Sequence, residues 1–445
     1  MLKKRNYFIF FAVLIGLLIA FLPTTHSSLL LIILFGLLSG FCVVSFTQDN
    51  HEDYVFLLSL FICAFLSRIV LAFWFYHFVF LLNGKGLLSD AWPYSENGAR
   101  ILQIWLSGVR DMGYISEQVR SVSHSGTISN YDFWNAIVYF FTGGESPLSA
   151  VFINCLAGSL TVIFIFDITK QFSNNRKILT YAAILTAFWP STFLWSIQNL
   201  KEPITVFFAS FLMWIILRVR KNFRFYLLLL AAIPFLVLKQ LREFVIPVFL
   251  CALLLNFFLT LKTRKETRLF LLLGVCLVIF LFIEKKGVSS FLPKAIDGEP
   301  FLEWLHRNRS YRASGGSAFL AGMDITNLAN FIIFLPLSFL VAWLAPFPWQ
   351  MGSLGQISGL FEMIVFYLLL PCMFYGIKFI IRNNAKQGLY IVLYIFIMGF
   401  ILALIEGNIG TLFRHRAMIL PFCFIPIAIG LEKYKFRITA HHEEN

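Results

Sequence analysis

The stretch YVFLLSLFICAFLSRIVLAFWFYHFVFLL, residues 54–82, constrains the fold more than any other feature. As a helix rising about 1.5 Å per residue it outspans the roughly 30 Å hydrocarbon core of a bilayer. Its apolar residues do not alternate, so it does not suit a half-buried strand. Comparable runs recur near 7–23, 28–46, 147–167, 179–198, 203–219, 225–240, 244–260, 269–284, 328–346, 358–381, 387–405 and 416–432. Only 13% of residues are charged, against about 25% in soluble domains. A soluble core of this size would lack a polar skin. The expectation is an all-α, polytopic integral membrane protein, a single domain over 1–445 with about 11–13 transmembrane helices.

The N-terminal MLKKRNYFIFFAVLIGLLIAFLP imitates a signal peptide, but its apolar run is long and no small-x-small cleavage site follows. It is expected to stay as a first helix. All seven cysteines lie inside apolar runs with no CxxC pair, which suits small membrane-core residues rather than disulfides. The 53 phenylalanines fit lipid-facing bulk.

The net charge of +13 would suggest nucleic acid in a soluble protein. Here the cations crowd short loops beside apolar runs, which fits orientation and anionic headgroups; no nucleic-acid partner is expected. The clusters LKKR, TKQFSNNRK (169–177), RVRKNFR (218–224) and KTRKETR (262–268) belong on the cytoplasmic side. Two polar loops, 83–146 with short amphipathic helices and 285–327, then fall outside, with the turns 198–203 and 239–243. IRNNAKQ (381–387) and EKYKFR (432–437) also call for the cytoplasm. That puts EGNIGTLFRHR (406–416) outside and demands an even number of crossings in 285–357. The run 328–346, closed by Pro346 and Pro348, is therefore re-entrant or paired with a further span.

Several polar groups need an explanation. Arg68 lies mid-span, where a charge costs about 2.5–3.5 kcal/mol to insert. It pairs structurally in the bundle or lines a buried polar cavity. Asp90 stands where the longest apolar run gives way to a wet loop. With Tyr94, Asn97 and Ile101 it would share one face of a helix starting near Pro93. By spacing alone Asp90 and Glu96 read as solvated loop acids, whereas a partly desolvated acid there suits a general base. Glu96 is the next acid. NLKEP sets Lys201 and Glu202 in a tight turn that also reads as a capped helix start, and KQLREF does the same for Arg242. LHRNRSYRASGGSAF gathers His306, Arg307, Arg309 and Arg312 beside a glycine pair, a set that can wrap a phosphate, or simply a solvated basic loop. Arg414, His415 and Arg416 open the last span against the positive-inside trend, as if holding an anion at headgroup depth.

The run LLSDAWPYSENGARILQIW resembles the first external loop of GT-C glycosyltransferases, the superfamily of protein O-mannosyltransferases and lipid A aminoarabinose transferases. The stretch NYDFWNAIVYFFTGGESPLSAVFINCLAGSLTVIFIFDITKQF, then ILTAFWPSTFLWSIQNLKEPITVFF and FRHRAMILPFCFIPIAIGLE, resemble later parts of that group in the same order. The resemblance spans residues 54–260 and 406–432. It implies a GT-C-like fold with the site on external loops, in a bacterial inner membrane. It implies transfer of a sugar from a polyprenyl-phosphate donor to a glycan, lipid or protein acceptor, among membrane lipids. Asp90 would be the acid–base residue and Arg414 and Arg416 the lipid-phosphate contacts. Lys201, Glu202 and Arg242 would line the same cavity, with Tyr94, Glu96, Arg309, Arg312 and His415 as further substrate contacts. No cofactor is implied, and a divalent cation stays open. The chain departs from the family in lacking a second acid close behind Asp90 and a soluble C-terminal domain. A polysaccharide polymerase using undecaprenyl-pyrophosphate glycans is the first alternative; it would rest on arginines of 239–243 and 305–316. A glycan flippase is the second, and it would call for internal repeats, which the chain lacks.

Overall fold

A computed structural model describes residues 27–80, 91–123, 126, 128–261, 300–313, 317–349 and 354–443. The expected spans 7–23 and 269–284 lie outside the described residues, as does Asp90. All the described regular structure is helical apart from one isolated bridge, Ala318 to Asn408. Among the described residues six helices are long and apolar enough to cross a membrane, or up to eight if each of two bent pairs counts as one span, and three shorter apolar helices accompany them. The protein is a polytopic membrane protein.

The chain forms two compact units. The first comprises Met1–Asp167 with Ala183–Phe211, the second Ile168–Ala182 with Leu212–Asn445.

The first unit opens with the apolar helices α1 (Ser27–Thr47) and α2 (His51–Phe75). They close tightly because Gly36 and Gly40 leave room for the rings of Phe65 and Phe61. The stretch expected as a wet external loop folds into α3 (Ala91–Leu106), α4 (Met112–Val122) and α5 (Asn130–Phe141). Each is amphipathic, as expected. Ile101 of α3 packs with Ile115 and Val119 of α4 and Ala136 of α5. Gly98 brings α3 against the α5 backbone, where a Cβ would stand 2.6 Å from Asn135 Cβ. The apolar helix α6 (Pro147–Lys170) follows.

Next, α7 (Arg176–Phe188) and α8 (Pro190–Ser196) meet at a 48° bend. Pro190 has no N–H to continue the ladder, so carbonyls are released there. Arg68 reaches that break. Its guanidinium donates to Ala187 O at 2.7 Å, Ser196 Oγ at 2.8 Å and Ala64 O at 3.0 Å, and lies 4.5 Å from the Phe193 ring centroid. Its role is structural: it closes a broken helix.

Helix α9 (Glu202–Lys221) begins in the first unit and ends in the second. The second unit continues with α10 (Phe225–Leu241), α11 (Val245–Thr260), α12 (Phe301–Arg312), α13 (Leu328–Leu344), α14 (Leu354–Asn383), α15 (Ala385–Ile405), α16 (Ile409–His415) and α17 (Leu420–Glu443). Helices α14 and α17 approach backbone to backbone. A Cβ on Gly376 would fall 1.9 Å from Pro426 O, and one on Gly430 1.9 Å from Cys372 O. Such small-residue contacts are how helices pack without a hydrophobic driving force.

The second unit has two ends. At one, Lys177 pairs with Glu432 at 3.8 Å, and Gln171, Arg220, Lys221 and Lys386 share a pocket. At the other, Arg242 meets His415, and Arg312 meets Glu406. Loops given to one side by charge thus meet one another. Helices α10 and α11 run between these ends although short. Helix α13 does not. Its start packs beside Leu404, its C-terminal Trp343 reaches only to Phe396 of α15, and its last carbonyls, Ala342 O and Ala345 O, accept from Arg416. Its start thus lies near the Glu406 end and its C-terminus partway along α15, so the 328–346 run does not reach the other end of that helix.

Candidate functional site

Two polar clusters, one in each unit, carry several of the expected residues. In the first unit, the edge of the Tyr94 ring packs on Tyr131 with centroids 5.0 Å apart, and Lys201 Nζ stands 5.9 Å from the Tyr94 centroid. Asn154 of α6 holds the turn before α9. Its Nδ2 donates to Gln198 O at 2.7 Å and Leu200 O at 2.8 Å. The Tyr131 hydroxyl donates to Asn199 Oδ1 at 2.9 Å. Tyr94, Lys201 and the buried Glu202, expected in one site, are thus in one unit and ordered by buried amides.

Sequence reasoning passed over Asp132, which lies in this cluster and is 1% exposed. Its Oδ2 accepts from Ser129 N at 2.5 Å, closing the first turn of α5. Burial raises its carboxyl to about 6, against the opposing pull of Ser129, Asn97 and Lys201. An acid at the third position of a helix reads in sequence as a cap, which hid its proton affinity. Glu96 is turned to another task. It pairs with Arg100 at 2.6 Å, and Arg100 Nη1 donates to Val122 O at 2.5 Å, tying α3 to α4.

In the second unit the centre is Glu406, at the C-terminal end of α15 and 1% exposed. Its Oε1 takes Arg312 Nη1 at 3.0 Å and lies 2.9 Å from His415 Nδ1. His415 Nε2 lies 2.5 Å from Arg242 Nη2. A guanidinium only donates, so this contact assigns the ring proton to Nδ1, which donates to Glu406. Burial opposes ionisation of Glu406, but His415, Arg312 and Arg242 outweigh it and hold its carboxyl at about 2. Arg309 bonds the Glu406 carbonyl and donates to Phe319 O at 2.9 Å, between the rings of Phe319 and Phe334 at 4.6 Å from each centroid. Burial lowers its guanidinium to about 10. Arg309 therefore braces the 406–409 turn, which pairs with Ser317 and Phe319 through backbone bonds of 2.9 Å.

The local sequence explains this geometry. Asn408 caps α16 through the N–H groups of Gly410 and Thr411, so His415 returns one helix length later beside Glu406. Gly407 leaves room for the Arg309 and Ala313 backbone, where a Cβ would meet Arg309 O at 2.7 Å. Arg312, with its side chain 39% exposed, presents its charge outward. Arg414 is half-buried. Arg416 does not join the cluster. It is 2% exposed, and its Nε, Nη1 and Nη2 engage Ala342 O at 3.0 Å, Met363 Sδ at 2.8 Å and Ala345 O at 2.5 Å. The 3₁₀ turn Arg416–Met418 rotates it away from His415. Each of its three nitrogens meets a protein atom, so Arg416, expected as a lipid-phosphate contact, braces α13 and α14 in this structure.

No family model matches the chain, and no curated protein matches it.

Proposed function

We propose that the chain is an integral membrane glycosyltransferase that moves a sugar from a polyprenyl-phosphate donor to an envelope glycan, lipid or protein acceptor. The observation that carries this reading is the Arg242–His415–Glu406–Arg312 cluster at the end of the unit away from the basic loops. Two arginines, Arg242 and Arg312, beside one carboxylate and a neutral imidazole leave net positive charge at this end of the unit. In the reaction, the acceptor hydroxyl gives its proton to a carboxylate and its oxygen bonds to the anomeric carbon. The bond from that carbon to the phosphate oxygen breaks, and polyprenyl phosphate leaves with the electron pair. Arg312 and Arg242 meet the charge that grows on the leaving phosphate, a contact worth on the order of 3 kcal/mol. Asp90 serves as the base through its place in the loop that resembles the family.

One observation favours a related reading, the polymerase acting on undecaprenyl-pyrophosphate glycans. Arg242 and Arg312, from the two loops that reading needs, meet at the same Glu406–His415 pair. The two are separated by sugar transfer measured on Asp90→Asn and Arg312→Lys at equal expression. Loss in both, about 10²-fold or more, supports the polyprenyl-phosphate enzyme. Loss in Arg312→Lys alone supports the polymerase. Full activity in both would remove the proposed machinery.

A further inference from the structure

The second unit holds a cavity of about 270 Å³ at its other end, lined by Gln171, Arg220, Lys221, Asn384, Lys386 and Gln387. It is built from three separate connections, 169–177, 218–224 and 381–387, each of which sequence charge assigns to the cytoplasmic side. Lys386 and Glu406 bracket α15, so the cavity lies about 30 Å from the Glu406 cluster along that helix, one bilayer thickness away. Nothing in the transfer reaction uses it.

Its chemistry is one-sided. Three cations line it and no carboxylate does. Arg220 Nη2 donates to Asn256 Oδ1 at 2.6 Å, and its guanidinium lies 5.5 Å from the Tyr390 ring centroid, so the side chain is fixed in place. Its Nη1 is buried with no hydrogen-bond partner among the described residues. The same holds for Gln171 Oε1, an acceptor. Lys221 and Lys386 are exposed at the rim. A fixed, unfilled guanidinium donor between two mobile ammonium groups suits a phosphate. An unfilled amide acceptor beside it suits a hydroxyl on the same ligand.

We propose that this pocket binds a phosphate bearing a hydroxylated glycerol, as the headgroup of an anionic lipid of that leaflet or as soluble glycerol phosphate. Arg220 holds the phosphate, Lys221 and Lys386 add charge at the rim, and Gln171 accepts from a glycerol hydroxyl. The site is distinct from the Glu406 cluster and does not depend on what that cluster catalyses.

The full-length protein in phosphatidylcholine nanodiscs would be titrated in two arms, with phosphatidylglycerol and with soluble glycerol phosphate, and bound ligand read by native mass spectrometry. The rim variant Lys221→Gln with Lys386→Gln touches no buried group, so it keeps the fold. It is expected to weaken saturable binding roughly thirtyfold, while Arg382→Gln, an exposed cation outside the pocket, leaves it unchanged. Tighter binding in the first arm identifies the lipid headgroup, and equal binding in both identifies the soluble phosphate. No saturable binding in either arm, or equal affinity in the rim variant, overturns the proposal.

Discussion

Two buried carboxyls make opposite demands on pH. Glu406 is held at about 2, below its ordinary 4.5, so the stability it contributes is present above 4.5 and lost as pH falls towards 2. Asp132 is raised from 3.8 to about 6, so its contribution is present below 3.8 and lost as pH rises through 6. Thermal unfolding of the purified protein across pH should therefore lose stability on both limbs. Glu406→Gln should flatten the acid limb and cost about 3 kcal/mol at neutral pH, because Arg242 and Arg312 lose their counter-charge and His415 its charged acceptor. Asp132→Asn should flatten the limb near 6. An acid limb unchanged in Glu406→Gln would remove the carboxylate from the centre of the cluster. Neither acid stood out in sequence. Glu406 opens the polar turn EGNIG, which reads as solvated loop, and only the return of His415 through α16 buries it.

Among the elements, the bend at Arg416 and the short helix α13 depend on each other. Arg416 fills the carbonyls at the end of α13, which a helix that stops inside the protein must satisfy. Arg416→Lys keeps the charge but cannot serve three partners with one ammonium. It should lower the midpoint of thermal unfolding, corresponding to about 2 kcal/mol, and leave donor-lipid affinity within a few-fold. Normal stability with lost donor binding would return Arg416 to the substrate. Element positions were readable from hydropathy: the run near 28–46 is α1, that at 147–167 is α6, and that at 387–405 is α15. The depth of α13 was not, because it is set by Ser338 bonding Ala403 O and by Trp343 filling the space left by Gly399.

Across the whole molecule, sequence charge assigns a side to each loop from the Lys and Arg beside each run alone. Single cysteines at Ser310, Asp324 and Trp349, in a background without native cysteines, should all react from outside with a thiol reagent that cannot cross the membrane. Protection of Trp349→Cys alone would make α13 a full crossing. What sequence could not supply is which cations converge. Arg242, Arg312 and His415 are far apart in the chain, and Arg416 adjoins His415 yet faces elsewhere. The central claim is that this convergence holds a lipid-linked phosphate. Its most direct test is the affinity of the purified protein for undecaprenyl phosphate, measured for wild type, Arg312→Gln and Arg242→Gln. The expected result is saturable binding that weakens at least about tenfold in each variant; wild-type affinity in both variants would contradict it.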